Sequence, residues 1–103
     1  MWMQEAREKK LAAKRTELEA AEAEVAALVE EHRGESERLA EAVRQVDYMT
    51  PVGEDYRLAK EGKRHVWTEV NALEGRISKA RQKAATLARE IRQLQAEGTS
   101  AAS

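Results

Sequence analysis

The sequence contains no cysteine, no phenylalanine, one proline and only four aromatic residues in 103. Without cysteine there is no disulfide framework, which excludes a small stapled secreted domain. Runs of β-branched and aromatic residues bounded by turn signals are missing, which excludes a β-sandwich or barrel. Basic and acidic residues nearly cancel, 18 against 19, so the chain lacks the positive excess of a strong polyanion binder. The longest apolar run, Val25-Ala26-Ala27-Leu28-Val29, falls far short of the roughly 20 residues needed to span a bilayer. The amino terminus, Met1-Trp2-Met3-Gln4-Glu5, has neither a basic segment nor an apolar core. It therefore does not read as a signal peptide, and a cytoplasmic location is expected.

What is abundant is equally specific. Ala, Glu, Lys, Leu and Arg supply 62 of the 103 residues, the composition of long helices and coiled coils. In the second half, Tyr56, Lys63, Val70, Ile77, Ala84 and Ile91 recur every seven residues. Val52, Ala59, Val66, Leu73, Ala80, Leu87 and Leu94 form the companion row. Lys63 is the one non-apolar member of the two rows, and such alternation over six heptads marks a coiled-coil seam. In the first half, Gln4, Leu11, Leu18, Val25, His32, Leu39 and Val46 keep the same period. Its companion row is open between Ala21, Leu28, Ala42 and Met49 on one reading and Val29 and Val43 on the adjacent one. The face is broad and Ala-rich, suited to more than one neighbour.

Thr50-Pro51 separates the halves, because proline disfavours helix at the residue before it. Thr50 suits an N-cap and Pro51 a first helical position. The spacing predicts helix 1 at about 3–47, a turn at 48–50 and helix 2 at about 51–97. Gly98 is expected to stop helix 2, leaving 99–103 as a flexible tail. A short connection makes the helices antiparallel neighbours. The fold expected for 1–98 is thus all-α, an antiparallel two-helix coiled-coil hairpin. A tight turn sets opposite one another residues whose numbers sum to roughly 98, as in Leu39 with Ala59 and Leu18 with Ala80. A shift of four residues is compatible with the same heptads. Charge supports the pairing: residues 1–50 carry net −4 and residues 51–103 net +3.

One hairpin buries one stripe per helix, and a core that small leaves little net stability. A protein partner or a homodimer is therefore expected, with a four-helix bundle of two hairpins as one form. Ala6, Ala13, Ala20 and Ala27, at seven-residue spacing off the seam, offer a second close-packing face. Tyr48, Tyr56, Leu58 and Trp67, all toward the turn, are the candidate protein-binding residues, since large aromatics anchor interfaces. Trp2 and Met3 are expected to close the far end beside Leu94 and Ala96.

Catalytic chemistry finds little support. No serine has a histidine and acid arranged as a base relay, and no glycine-rich phosphate loop is present. A simple hairpin also lacks a concave pocket. His32 and His65, with Glu31, Glu35, Glu61 and Glu69 nearby, are the one metal-like constellation. The Glu-x-x-His of carboxylate-bridged bundles is absent, so neither metal nor cofactor is expected. Gly34 and Gly62, together with Lys63, mark 32–38 and 60–65 as a weak zone. The alternative task is nucleic-acid association through Arg76, Lys79, Arg81, Lys83, Arg89 and Arg92 on helix 2. Near-neutral net charge makes that the second choice.

The expected function is a non-enzymatic protein–protein interaction module: an adaptor, assembly chaperone or structural component working as a rigid coiled-coil hairpin. In architecture it resembles the hairpins of type III secretion stalk proteins, and in length also the small secreted WXG proteins. The turn holds no Trp-x-Gly, so these resemblances concern the fold alone.

Overall fold

The computed structural model describes residues 2–102, and the side chains of residues 2–98. The protein is all-α. Helix α1 spans Trp2–Tyr48 and α2 spans Glu54–Ala102, and the two pack against each other as a hairpin. Contacts divide the chain into two units. The turn unit is Ala27–Ile77, and the terminal unit joins residues up to Ala26 with those from Ser78 onward.

The turn unit holds the connection. The Met49 N–H donates to the Val46 carbonyl at 3.2 Å and closes α1. The Val52 N–H reaches the Thr50 carbonyl at 2.7 Å, an i to i+2 turn around Pro51. Gly53, at φ 97°, then turns the chain into α2, and its carbonyl accepts from the Arg57 N–H at 3.2 Å. Gly53 is thus the N-cap, and Glu54 and Asp55 occupy the first turn, where the helix dipole favours acids. This corrects the expected start at Pro51 with Thr50 as cap. The connection is the five residues 49–53, the long end of the range for antiparallel helix pairs.

The longer connection moves the register. In the turn unit His32 meets Glu74, numbers summing to 106, and Ala42 shares a groove with Gly62 and Lys63. In the terminal unit Lys14 meets Glu90, summing to 104, and Arg7 lies over Gly98. Facing residues therefore sum to about 105, one heptad beyond the tight-turn register and beyond the four-residue alternative. On this register Leu39 is level with Val66, not Ala59, and Leu18 with Leu87, not Ala80.

Burial follows the seam in each unit. Val46, Val66, Val70, Leu73 and Ile77 are buried in the turn unit, and Ala21, Ala80, Leu87 and Ile91 in the terminal unit. On α1 the companion row resolves to the reading with Ala21, Leu28, Ala42 and Met49. Lys14 and Glu35 continue that row, both partly shielded. Val29 is exposed and Val43 half-buried beside the seam.

Two further expectations are corrected. Gly98 does not end α2, which continues to Ala102 in helical conformation, so the start of the expected tail is helical. Trp2 and Met3 are exposed and do not close an end. The register sets Leu94 level with Leu11 and leaves them without that neighbour. Gly34 and Gly62, in the expected weak zone, do not lie opposite each other on this register, and each has open space where a Cβ would stand.

Candidate interaction surface

Most surface charge in the turn unit is consumed locally. Arg33 bonds Glu30 and, at 2.7 Å, Glu37. Arg38 bonds Glu35 at 2.7 Å, Arg44 bonds Glu41 at 2.6 Å, and Arg57 bonds Glu54 and, at 2.7 Å, Glu61. All are i, i+3 or i, i+4 pairs on one helix, the spacing that brings side chains together on a helical surface. The guanidinium hydrogen bonds hold the carboxyls of Glu30, Glu35 and Glu54 below the usual carboxylate range.

Eight basic residues lie within Ala27–Ile77, and these four arginines account for half of them. The others are Lys60, Lys63, Arg64 and Arg76, and among the described residues none has a carboxylate partner. Helical spacing explains this. Lys60 and Lys63 have no acid three or four positions away, and the one acid so placed for Arg64, Glu61, is held by Arg57.

Three of those four cations lie beside Trp67, on its turn side. Lys60, Lys63, Arg64 and Trp67 line one open crevice of about 360 Å³. Lysine and arginine carry long aliphatic stems that lie readily along apolar surface such as an indole while their charged heads stay in water. One turn toward the loop, the Lys60 ammonium sits 5.5 Å from the centroid of the Tyr56 ring, a cation–π contact. At 100° per residue, Tyr56, Lys60, Lys63 and Trp67 share one stripe of α2. On α1, Ser36 and Val43 hold the matching positions beside the seam. The opposite flank is charged and is lined by Glu31, Glu35, Arg38, Glu69 and Arg76. There Glu35 Oε2 is shielded from solvent with no hydrogen-bond partner among the described residues.

The four expected protein-binding residues do not form one surface. Trp67 and half-buried Tyr56 share the stripe, but Leu58, nine positions before Trp67, points to the other side of α2. Tyr48 closes α1 beside the turn and lines a shallow groove with Glu41, Arg44, Gln45 and Met49. The sequence reading missed Lys60 and Arg64 as site residues. For Lys60 the signal was the lack of any acid three or four positions away; for Arg64 there was none, because the pairing of Glu61 with Arg57 forms only in the folded chain.

The six basic residues of the nucleic-acid alternative are also dispersed. Arg76 belongs to the turn unit and the rest to the terminal unit. Within the terminal unit, Lys79 and Lys83 share one side of α2, while Arg81, Arg89 and Arg92 turn toward the other. None of the six is in an ion pair among the described residues.

The histidines are separated by the register. His32 Nε2 lies 3.2 Å from Glu74 Oε1, and His65 Nε2 lies 3.1 Å from Glu69 Oε1 on its own helix. Among the described residues no group of three or more His, Cys, Asp or Glu side chains is placed to hold a metal ion. No described helix is long and apolar enough to cross a membrane. No family model, curated protein or solved structure matches the chain.

Proposed function

We propose that the chain is a non-enzymatic protein–protein interaction module, an adaptor, assembly chaperone or structural component, that engages its partners through the turn unit. The observation that carries this reading is the large apolar surface left there: Tyr48 is 88% exposed, Val52 72%, Trp67 56% and Leu58 51%. Aromatic side chains at a protein surface are characteristic anchors of interfaces. Leu58 and Trp67 face opposite ways, which suits a module that contacts two surfaces at once. A second hairpin of the same chain is one form such a partner can take.

Site-directed photo-crosslinking in the native host tests the proposal. A photoreactive residue at Tyr48, Leu58 or Trp67 is expected to give discrete protein adducts, with none from an exposed control such as Glu19. No adduct from any of the three, or adducts with nucleic acid alone, overturns it. Light scattering on the purified chain separates a homodimer from a foreign partner.

The second reading, nucleic-acid association through α2, is favoured by one observation: Arg76, Lys79, Arg81, Lys83, Arg89 and Arg92 are without carboxylate partners among the described residues. It predicts salt-dependent DNA binding that Arg81→Glu weakens.

A further inference from the structure

We infer that the crevice at Trp67 receives an acidic segment of a partner protein, with an apolar side chain of that segment against the indole and its carboxylates on Lys60, Lys63 and Arg64. The inference rests on the module reading above and adds the chemistry of the partner.

Charge accounting carries it. The turn unit holds carboxylates enough to occupy every cation, 11 against eight, and it pairs Arg33, Arg38, Arg44 and Arg57. Yet the cations around the exposed tryptophan are left over. An unpaired, solvated cation costs little by itself, but three lining one crevice with an exposed indole form a matched receptor. Carboxylates brought against that rim form charge-assisted hydrogen bonds, which are stronger than neutral ones. The indole and lysine stems meanwhile offer apolar area that a neighbouring Leu or Phe can cover. Arg64 and Trp67, both enriched in interface hot spots, sit one helical turn apart.

Two other occupants fit less well. A nucleic acid presents a continuous row of phosphates, and the stripe beyond Trp67 runs onto Glu74, in a unit of net charge −3. A second copy seated about a two-fold axis running along α2 would bring the same three cations against their own equivalents, and one seated across α2 at Trp67 would offer them a single carboxylate, Glu74. A short acidic segment from a different chain meets neither obstacle.

The test uses the full chain carrying Trp2→Phe, so that Trp67 is the one indole. The probe is a synthetic helical Glu/Leu peptide. The comparisons are its Gln/Leu analogue and an oligothymidylate of about 12 nucleotides. Binding of the Glu/Leu peptide is expected to shift Trp67 emission to the blue and to weaken with salt. Affinity should fall about ten-fold or more in Lys60→Glu with Arg64→Glu, and similarly in Trp67→Ala read from a label on the peptide. These side chains are exposed or half-exposed, so unchanged helix content by circular dichroism confirms that the variants fold. Equal binding of the Gln/Leu analogue, tighter binding of the oligothymidylate, or a dimer that Trp67→Ala dissolves overturns the inference. So does no binding of the Glu/Leu peptide. If protein adducts still form at Leu58 or Tyr48 in that case, the module reading stands and only the partner chemistry is lost.

Discussion

Lys14 Nζ donates to Glu90 Oε2 at 2.5 Å and ties α1 to α2 within the terminal unit. Both side chains are partly shielded, and the contact holds the Lys14 ammonium above the usual lysine range. The pair reports the register, because a hairpin closed one heptad tighter would set Lys14 opposite Ala84.

That register is testable by engineered cysteines in a chain that has none of its own. Leu18→Cys with Leu87→Cys is expected to form an intramolecular disulfide on mild oxidation. Leu18→Cys with Ala80→Cys is not, because one heptad displaces the second sulfur by about 10 Å along the helix, beyond disulfide reach. Electrophoresis without reductant reads the difference, and the reverse result would restore the tight-turn register.

Two leucines on α2 should respond unequally to truncation. Leu73 is 4% exposed, and Leu73→Ala is expected to cost about 2–4 kcal/mol in urea unfolding, the range for removing a buried leucine. Leu58→Ala, at a site exposed to solvent, should change stability by about 0.5 kcal/mol or less. Comparable losses at both would mean that Leu58 is covered in solution.

The glycines should also differ in sign. Gly34→Ala and Gly62→Ala meet open space inside regular helix and should each stabilise by about 0.5–1 kcal/mol. Gly53→Ala should destabilise by about 1 kcal/mol or more, since a φ of 97° is strained for any residue with a Cβ. Thermal melts of the three variants decide, and a stabilising Gly53→Ala would contradict the turn geometry.

Stability should fall at both ends of the pH scale. The carboxyls of Glu30, Glu35 and Glu54 are depressed in the folded chain by Arg33, Arg38 and Arg57. Their contribution is present above the ordinary carboxylate range and is lost as pH falls through the folded values. Lys14 is raised, so its contribution persists through neutral pH and disappears only as pH rises past the ordinary lysine range. Melting temperature against pH should therefore plateau around neutrality. Arg57→Gln should flatten the acid limb, and an unchanged limb would show that the Glu54 pair contributes nothing.

Much of α2 was legible from its heptads. Val66, Val70, Leu73, Ile77, Ala80, Leu87 and Ile91 fall on the predicted seam and are buried. The companion row of α1 was not legible, since the sequence offers two adjacent apolar rows and the structure turns inward the one that contains Lys14 and Glu35. Of the binding residues, exposure of Leu58 and Trp67 followed from their positions off the seam. The cations beside Trp67 did not, because their significance depends on which acids the neighbouring arginines occupy.

By itself, then, the sequence determined two helices, their antiparallel pairing across one break, and the inward stripe of α2. Each follows from a period that only one helical face can satisfy. The tertiary structure decided the register, the N-cap at Gly53 and the exposure of Trp2. A slide of one whole heptad returns every apolar residue to a seam position, so periodicity is blind to it. The five-residue connection, turning into α2 at the positive φ of Gly53, settles the choice.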